Sequence, residues 1–312
     1  MTSIVMYHYI RKFDYQIKNL NFLHQDNFNK QLKFFNRNFD LFTLSNDLEK
    51  FDYNKNKILL TFDDGLKEHL SVARILKKKN IKGIFFISSK PLIDKDFLTV
   101  HKIHLILGKN DDEKIRELFQ KFNLVKYLKK KRFDVFLNQK NLLKKIKNLK
   151  KKNEIYYKVC LNLISQKQPE IIDNLFDYCF NKKEQKQIFK DFYLNKKDIM
   201  KMMKMGMEIG SHGHSHKVLS LMKKKDQFKD IKKSVDFLKK IVGKPINFFS
   251  YPYGGSKVYN KNTLSVLKKL KIKKGISVDS RKLNKNDSLL EIPRFDCNDF
   301  PHGKAFIKNE KK

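Results

Sequence analysis

The sequence predicts an α/β protein built on a largely parallel sheet or barrel. Three observations carry that expectation. Short apolar runs alternate with amphipathic helical patterns, 312 residues lie within the range of α/β barrels, and the segments richest in chemistry stand where apolar runs end. The strand candidates are Ile4–His8, Lys57–Asp63, Ile81–Ser88, Met207–Ser211, Ile246–Tyr251, Gly275–Val278 and Leu289–Ile292. The clearest helix is Asp226–Val242, where Phe228, Ile231, Val235, Leu238 and Val242 form one stripe at spacings of three and four and Lys fills the other face. Gly243 occupies the position after its C-cap, and Pro245 prevents continuation. Asn260–Leu270 and Lys67–Lys79 repeat the pattern, the first through Leu264, Val266 and Leu267, the second through Leu70, Val72, Ala73, Ile75 and Leu76.

From about Asp96 to Lys190 the pattern changes. Proline is absent between Pro91 and Pro169, and Lys-rich helical patterns dominate: Asp112–Phe122, Lys140–Leu149 and Glu170–Phe180. The expected organisation is a barrel formed by residues 1–95 and 191–312, with a helical, Lys-rich insertion over 96–190.

Composition narrows the classes further. Forty per cent of residues are hydrophobic and Phe alone contributes 27, so a sizeable core is available. Lys+Arg 69 against Asp+Glu 33 gives a net charge of +36. Lysine is spread along the whole chain together with Asn, Ile and Phe, and Trp is absent, which is the compositional habit of a coding sequence poor in G and C. The runs Lys129-Lys130-Lys131-Arg132 and Lys150-Lys151-Lys152 read as solvated helix faces and ends. A polyanion-binding surface is the sharper alternative, but no aromatic or Arg-rich nucleic-acid motif accompanies them, so no specific nucleic-acid partner is expected. Cys160, Cys179 and Cys297 are odd in number and far apart, which fits a reducing compartment rather than a disulfide framework. Met1-Thr2-Ser3 leads straight into a strand-like run with no basic n-region, and no stretch of 18 apolar residues occurs. The expectation is a cytoplasmic protein with neither signal peptide nor transmembrane segment, whose surface lysines permit loose contact with an anionic membrane.

Two segments carry most of the chemistry. Thr61-Phe62-Asp63-Asp64-Gly65 places two carboxylates at the end of an apolar run. Neighbouring carboxylates repel, and one is driven to protonate unless a cation intervenes. The bland reading is a strand end in which Asp caps the next helix. Ser211-His212-Gly213-His214-Ser215-His216 packs three of nine histidines into five positions after another apolar run. His212 and His216 are four apart, so on a helical turn they face one side, with His214 pointing elsewhere. One carboxylate and two imidazoles make a three-ligand set that leaves positions open for water and substrate, and the second carboxylate stays free as a base. A third segment, Asn247–Gly255, runs a strand into Pro252-Tyr253-Gly254-Gly255, a turn able to present a backbone N–H to an oxyanion and aromatic rings to a sugar.

Taken in order, Thr61–Gly65, the His212/His216 pair and Phe249-Ser250-Tyr251-Pro252-Tyr253-Gly254 resemble the motifs of the polysaccharide deacetylase family, the NodB-type carbohydrate esterases. Met6-Tyr7-His8-Tyr9 and Ile292-Pro293-Arg294 resemble strands of its bacterial surface-polysaccharide branch, Phe85-Phe86-Ile87 resembles the strand after the Asp motif, and Met205–His216 resembles the lead into the His motif. The resemblance implies a distorted (β/α) barrel with its site at the C-terminal strand ends. It implies Asp64, His212 and His216 as ligands of a divalent metal, Zn²⁺ by preference, with Co²⁺ or Ni²⁺ fitting the same set. It implies Asp63 as general base toward metal-bound water, and the metal with the Tyr253 backbone N–H as holders of the oxyanion. The implied activity is hydrolysis of a non-peptide C–N bond, removing an N-acetyl group from a sugar or glycan precursor.

Two departures from the family pattern stand out. The arginine that pairs with the catalytic Asp in the Pro-Tyr segment of many members is here Ser250, and Arg294 from a neighbouring strand is the candidate replacement; its bland reading is a structural arginine at a strand end. The late Leu-x-His motif that supplies a general acid is absent, leaving His8, His214 and His302 as candidates, with Asp279 and Asp296 as groups that would orient such a histidine or serve as ordinary loop carboxylates. The competing readings are deformylation or hydrolysis of another small amide at the same site, a carbohydrate-binding relic without activity, and a polyanion binder explained by net charge, which leaves the metal constellation unaccounted for.

Overall fold

The computed structural model describes residues 2–14, 16–41, 56–128 and 149–304, with the backbone alone over 149–152. Lys129–Arg132 and nearly all of the helical pattern Lys140–Leu149 lie outside the described residues, as do the side chains of Lys150–Lys152.

Eight strands form one sheet: β1 Thr2–Tyr7, β2 Asp40–Leu41, β3 Lys57–Phe62, β4 Gly83–Ile87, β5 Glu208–Ser211, β6 Phe248–Ser250, β7 Lys274–Ile276 and β8 Phe295–Asp296. Their order is β8-β1-β3-β4-β5-β6-β7, with β2 against β3, and every pairing is parallel. Helices α1 Gln25–Asn38, α2 His69–Lys78, α3 Lys90–Ile93, α9 Lys196–Lys204, α10 Lys224–Val242 and α11 Lys261–Lys269 connect them on the outside. All six residues of β1 are buried, as are all five of β4, so both faces of the sheet are covered. The sheet curls into a distorted, NodB-type (β/α) half-barrel.

Six of the strand candidates sit within a few residues of their expected bounds; the seventh does not. Leu289–Ile292 is a turn that ends in a single parallel bridge, Ile276↔Ile292, and the strand proper is Phe295–Asp296. Pro293 is the physical reason, since it has no N–H to offer a ladder. The chain nonetheless joins the two edges of the sheet. Ser277 N donates to Ile292 O at 2.8 Å and Asp279 N to Arg294 O at 3.1 Å on the β7 side, while Phe295 and Asp296 pair with Val5 and Met6 of β1.

Two faces are distinguishable. Inside the curl, Ile4, Leu59, Ile84, Phe86, Phe248, Ile276, Leu283 and Ile292 form one buried cluster. Among the residues of opposite parity, Tyr7 stacks on Phe62 at 5.2 Å and Phe62 on Phe85 at 4.5 Å, with Phe28 of α1 edge-on to both Tyr7 and Phe62.

The described chain divides into two compact units. The first holds residues 2–12, 22–41, 56–96 and 191–304, which include the whole sheet. The second holds residues 13–14, 16–21, 97–128 and 149–190, and its described elements are helical: α4 Thr99–Lys109, α5 Asp112–Lys121, α6 Leu149–Lys167, α7 Pro169–Cys179 and most of α8 Lys182–Phe192. Pro169 opens α7 at a position where its missing N–H costs nothing. Within this unit Phe97 packs edge-on against Phe176 and Phe189, and Lys102, 6% exposed, reaches Asp173 at 2.8 Å. Among the described residues no helix is long and apolar enough to cross a membrane.

Candidate metal centre

Strand alternation decides which side chains enter the barrel. On β3, Leu59 belongs to the interior cluster, and two-residue steps carry the same face to Thr61 and Asp63. On β6 the steps run from Phe248 to Ser250, and on the closing segment from Ile292 to Arg294. On β5, Gly210 lies so close to the interior that a Cβ there would meet the Phe86 ring at 2.5 Å and the Phe248 Cβ at 3.1 Å; the next residue on that face is His212. Asp63, His212, Ser250 and Arg294 therefore meet at the C-terminal ends of the strands, each at most 1% exposed.

Asp63 is held from several sides. Its N–H donates to Tyr7 O at 2.9 Å, extending the strand ladder by one residue. Arg294 Nη1 donates to Asp63 Oδ1 at 2.9 Å and to Thr61 Oγ1 at 3.1 Å, while Nη2 donates to Asp63 Oδ2 and, at 2.7 Å, to Ser250 Oγ. Ser250 Oγ in turn donates to Asp63 Oδ2 at 3.1 Å. The Arg294 guanidinium also lies 5.8 Å from the centre of the Phe86 ring. Burial pushes the Asp63 carboxyl upward, but the charge and hydrogen bonds of Arg294, together with His212, outweigh it and hold Asp63 below the usual carboxylate range.

Asp64 turns toward the same space by a different route. Asp64 and Gly65 both take left-handed backbone, φ +81° and +73°, so successive residues do not alternate across the sheet. The capping alternative for this pair does not hold, because α2 begins only at His69, with Glu68 as N-cap. Asp64 Oδ1 lies 3.5 Å from His212 Nε2 and 3.4 Å from His216 Nε2, and the three candidate donor atoms all lie within 4.8 Å of one another. The chemistry of the set fits a divalent cation: one hard oxygen and two borderline nitrogens. The orientation of His212 fits as well. Its Nδ1–H donates to Ser250 O at 2.7 Å, which leaves the Nε2 lone pair on the Asp64 side. Burial pushes His212 below the ordinary histidine value despite the pull of Asp63 and Asp64, which favours the neutral, ligating form.

The two imidazoles do not meet through helical spacing, as the sequence suggested. Residues 212–216 form a loop in which Gly213 and His216 adopt φ +74° and +54°. The loop folds back so that the rings sit edge to face at 4.8 Å, and the Tyr253 ring packs against His216 at 4.9 Å. Tyr253 is itself left-handed at φ +66°. Asp64, His216 and Tyr253 are thus three non-glycine residues in a region costing about 1–3 kcal/mol each, the kind of strain that gathers at ligand clamps.

The remaining candidates separate by position. His8 stands at the C-terminal end of β1, half-buried, directly after Tyr7, whose carbonyl accepts from Asp63 N. The His214 ring is engaged elsewhere: Nδ1 lies 2.9 Å from Ser89 Oγ, and Nε2 lies 3.0 Å from Asp94 Oδ2 and 2.8 Å from Lys233 Nζ. His302 is exposed. Asp296 caps the turn Cys297–Asp299, and Asp279 accepts from Arg281 Nε at 2.7 Å. Sequence reasoning missed Thr61 and Ser250 as partners in the Asp63 network, although strand parity placed both on the interior face. It also missed His69, fully buried, whose Nε2–H donates to His8 O at 2.9 Å. No motif marks that histidine.

The fold is of the NodB type, a (β/α) half-barrel whose C-terminal strand ends carry the buried residues described above. Residues 166–275 match the family model described as Polysaccharide deacetylase. The matched span takes in His212, His216, Ser250 and Tyr253 and leaves Asp63, Asp64 and Arg294 outside. Among solved structures, the deacetylase PplD of Streptococcus pyogenes, in complex with acetate, is 16% identical with a TM-score of 0.58, over 94% of this chain and 91% of that one. IcaB of Ammonifex degensii is 14% identical with a TM-score of 0.55, over 94% and 90%. The putative polysaccharide deacetylase BA0330 of Bacillus anthracis is 17% identical with a TM-score of 0.55, over 95% of this chain and 64% of that one. No curated protein matches the chain.

Proposed function

We propose that this protein is a metal-dependent hydrolase that removes the N-acetyl group from an N-acetylated sugar or glycan precursor. One observation carries the reading: Asp64, His212 and His216 converge on one point beside a second carboxylate, Asp63, that buried Arg294 keeps ionised. The kinship with deacetylases, one of them named as a complex with acetate, supports it. Asp64, His212 and His216 would hold the cation, with Zn²⁺ the first choice and Co²⁺ or Ni²⁺ compatible with the same donors. Such a cation supplies Lewis-acid polarisation of an amide carbonyl and a lowered pKa for water.

The chain's own groups do the rest. Asp63 accepts the proton of the attacking water, with both oxygens oriented by Arg294 and Ser250 so that no reorganisation is needed. The backbone N–H of Tyr253 donates to the oxyanion as the carbonyl carbon becomes tetrahedral. His8 is the candidate donor of a proton to the leaving nitrogen, since it follows Tyr7, whose carbonyl accepts from Asp63 N, while the His214 ring is held by Ser89, Asp94 and Lys233. The C–N bond then breaks, and acetate and a free amine remain. This chemistry belongs to the unit that holds the sheet, and the helical elements described between residues 97 and 190 read as an insertion in its sequence.

The test is release of acetate and amine from a panel of N-acetylated sugars, with and without chelator, for wild type and Asp63→Asn. Release that stops with chelator and falls about 10²–10⁴-fold in Asp63→Asn is expected. No release by wild type across the panel would point to a binding relic of the fold, and metal-dependent release that survives Asp63→Asn would remove Asp63 from its role.

A further inference from the structure

The loop between the two histidine donors is anchored by a residue that no motif marks. Asp230, in the middle of α10, directs its carboxylate at two successive backbone N–H groups: His214 N donates to Oδ2 at 2.8 Å and Ser215 N to Oδ1 at 3.1 Å. Ser215 Oγ donates to the same Oδ1. Consecutive N–H groups in a turn with left-handed members form a concave nest for an anion, and here the protein's own carboxylate fills it. The approach is close enough that a Cβ on Gly213 would lie 3.0 Å from Asp230 Oδ2, which, with φ +74°, fits that position to glycine. His214 and Ser215 stand between His212 and His216, so hydrogen bonds to their backbone set how far apart the two imidazoles lie. Left-handed conformations such as that of His216 persist only where surrounding contacts over-determine them.

We propose that Asp230 is a positioning residue for the metal centre, holding residues 213–215 so that His212 and His216 present their nitrogens to one cation. This inference rests on the metal-centre reading above. It assigns a purpose to an otherwise unfavourable choice, since aspartate is a poor residue for the interior of a helix and alanine is the best. Replacing Asp230 with alanine therefore favours α10 locally while removing the loop's anchor.

Co²⁺ titration of the full chain, followed by visible absorption, tests the proposal without turnover. Folded Asp230→Ala, checked by far-UV circular dichroism, is expected to bind Co²⁺ about 10–100-fold more weakly and to show altered bands. Asp230→Asn, which retains one acceptor oxygen, falls between the two and serves as the readout if the alanine variant does not fold. Amide exchange at His214 and Ser215 accelerates in both variants. A folded variant with wild-type Co²⁺ affinity and bands overturns the proposal. Failure of wild type itself to bind Co²⁺ overturns the metal-centre reading and this role with it, while accelerated amide exchange would then show the anchor to be structural alone.

Discussion

Asp63 and Arg294 are a fully buried ion pair, and such pairs are seldom retained for stability, because desolvation consumes most of the Coulombic gain. Here the pair sets the protonation state of a carboxyl inside the barrel. Breaking it has two measurable consequences. Arg294→Met leaves an uncompensated buried carboxylate, which costs about 3–5 kcal/mol in denaturant unfolding. It also removes the main influence that lowers the Asp63 carboxyl, so that burial dominates and the acid limb of kcat/KM moves to higher pH. The sign for stability is the same in kind. In wild type the depressed carboxyl contributes stability above the ordinary carboxylate range and loses it as pH falls through the folded-state value; in the variant that contribution is gone. A pH–rate profile whose acid limb is unchanged in Arg294→Met would show that the arginine does not tune Asp63.

The elements place these residues through small features of backbone and packing. Gly210 lets β5 run against Phe86 and Phe248, two residues before His212. Gly210→Ala overpacks the interior at a cost of about 1–3 kcal/mol and displaces His212, so both the melting temperature and Co²⁺ affinity should fall. Gly243→Ala is the contrasting case. A Cβ there meets nothing, but φ is +72°, so about 1–2 kcal/mol of stability is lost to backbone strain with Co²⁺ affinity unchanged. Equal effects of the two substitutions on metal binding would break the link between β5 packing and the site. Much of this level is legible in the sequence. The stripe from Phe228 to Val242 gives α10, and Gly243 and Pro245 mark its end. The His212–His216 loop was not legible, because spacing of four is only a helical signal where φ and ψ are helical, and Gly213 and His216 are not. The closing strand was displaced in the sequence reading for a related reason: Leu289–Ile292 has the apolar character of a strand, but Pro293 breaks the ladder before Phe295 can resume it.

At the scale of the whole molecule, the parallel barrel was evident from strand–helix alternation and the motifs were expected together at its C-terminal strand ends, whereas the strand order that brings them there was not legible. Asp63, His212, Ser250 and Arg294 come from four separate segments, and only the sheet order β8-β1-β3-β4-β5-β6-β7 and the bridge at Ile292 bring them to one end. Parity along each strand could have flagged the interior face, but not which strands are neighbours. The same convergence makes the proposed metal a tie between β3, the loop after β5 and, through Ser250 and His212, β6. A ligand that binds only the folded chain stabilises it by about 2.7 kcal/mol at one hundred times its dissociation constant. At about 2–4 °C per kcal/mol for a domain of this order, Zn²⁺ should raise the melting temperature of the chelated protein by about 5–10 °C. His212→Ala should abolish that rise, because one donor and the link through Ser250 are lost together. Asp63→Asn should keep it, since Asp63 stands beside the donor set rather than in it. Differential scanning fluorimetry with Zn²⁺ and with chelator separates these outcomes, and a wild-type melting temperature indifferent to both would dismantle the metal tie across the strands.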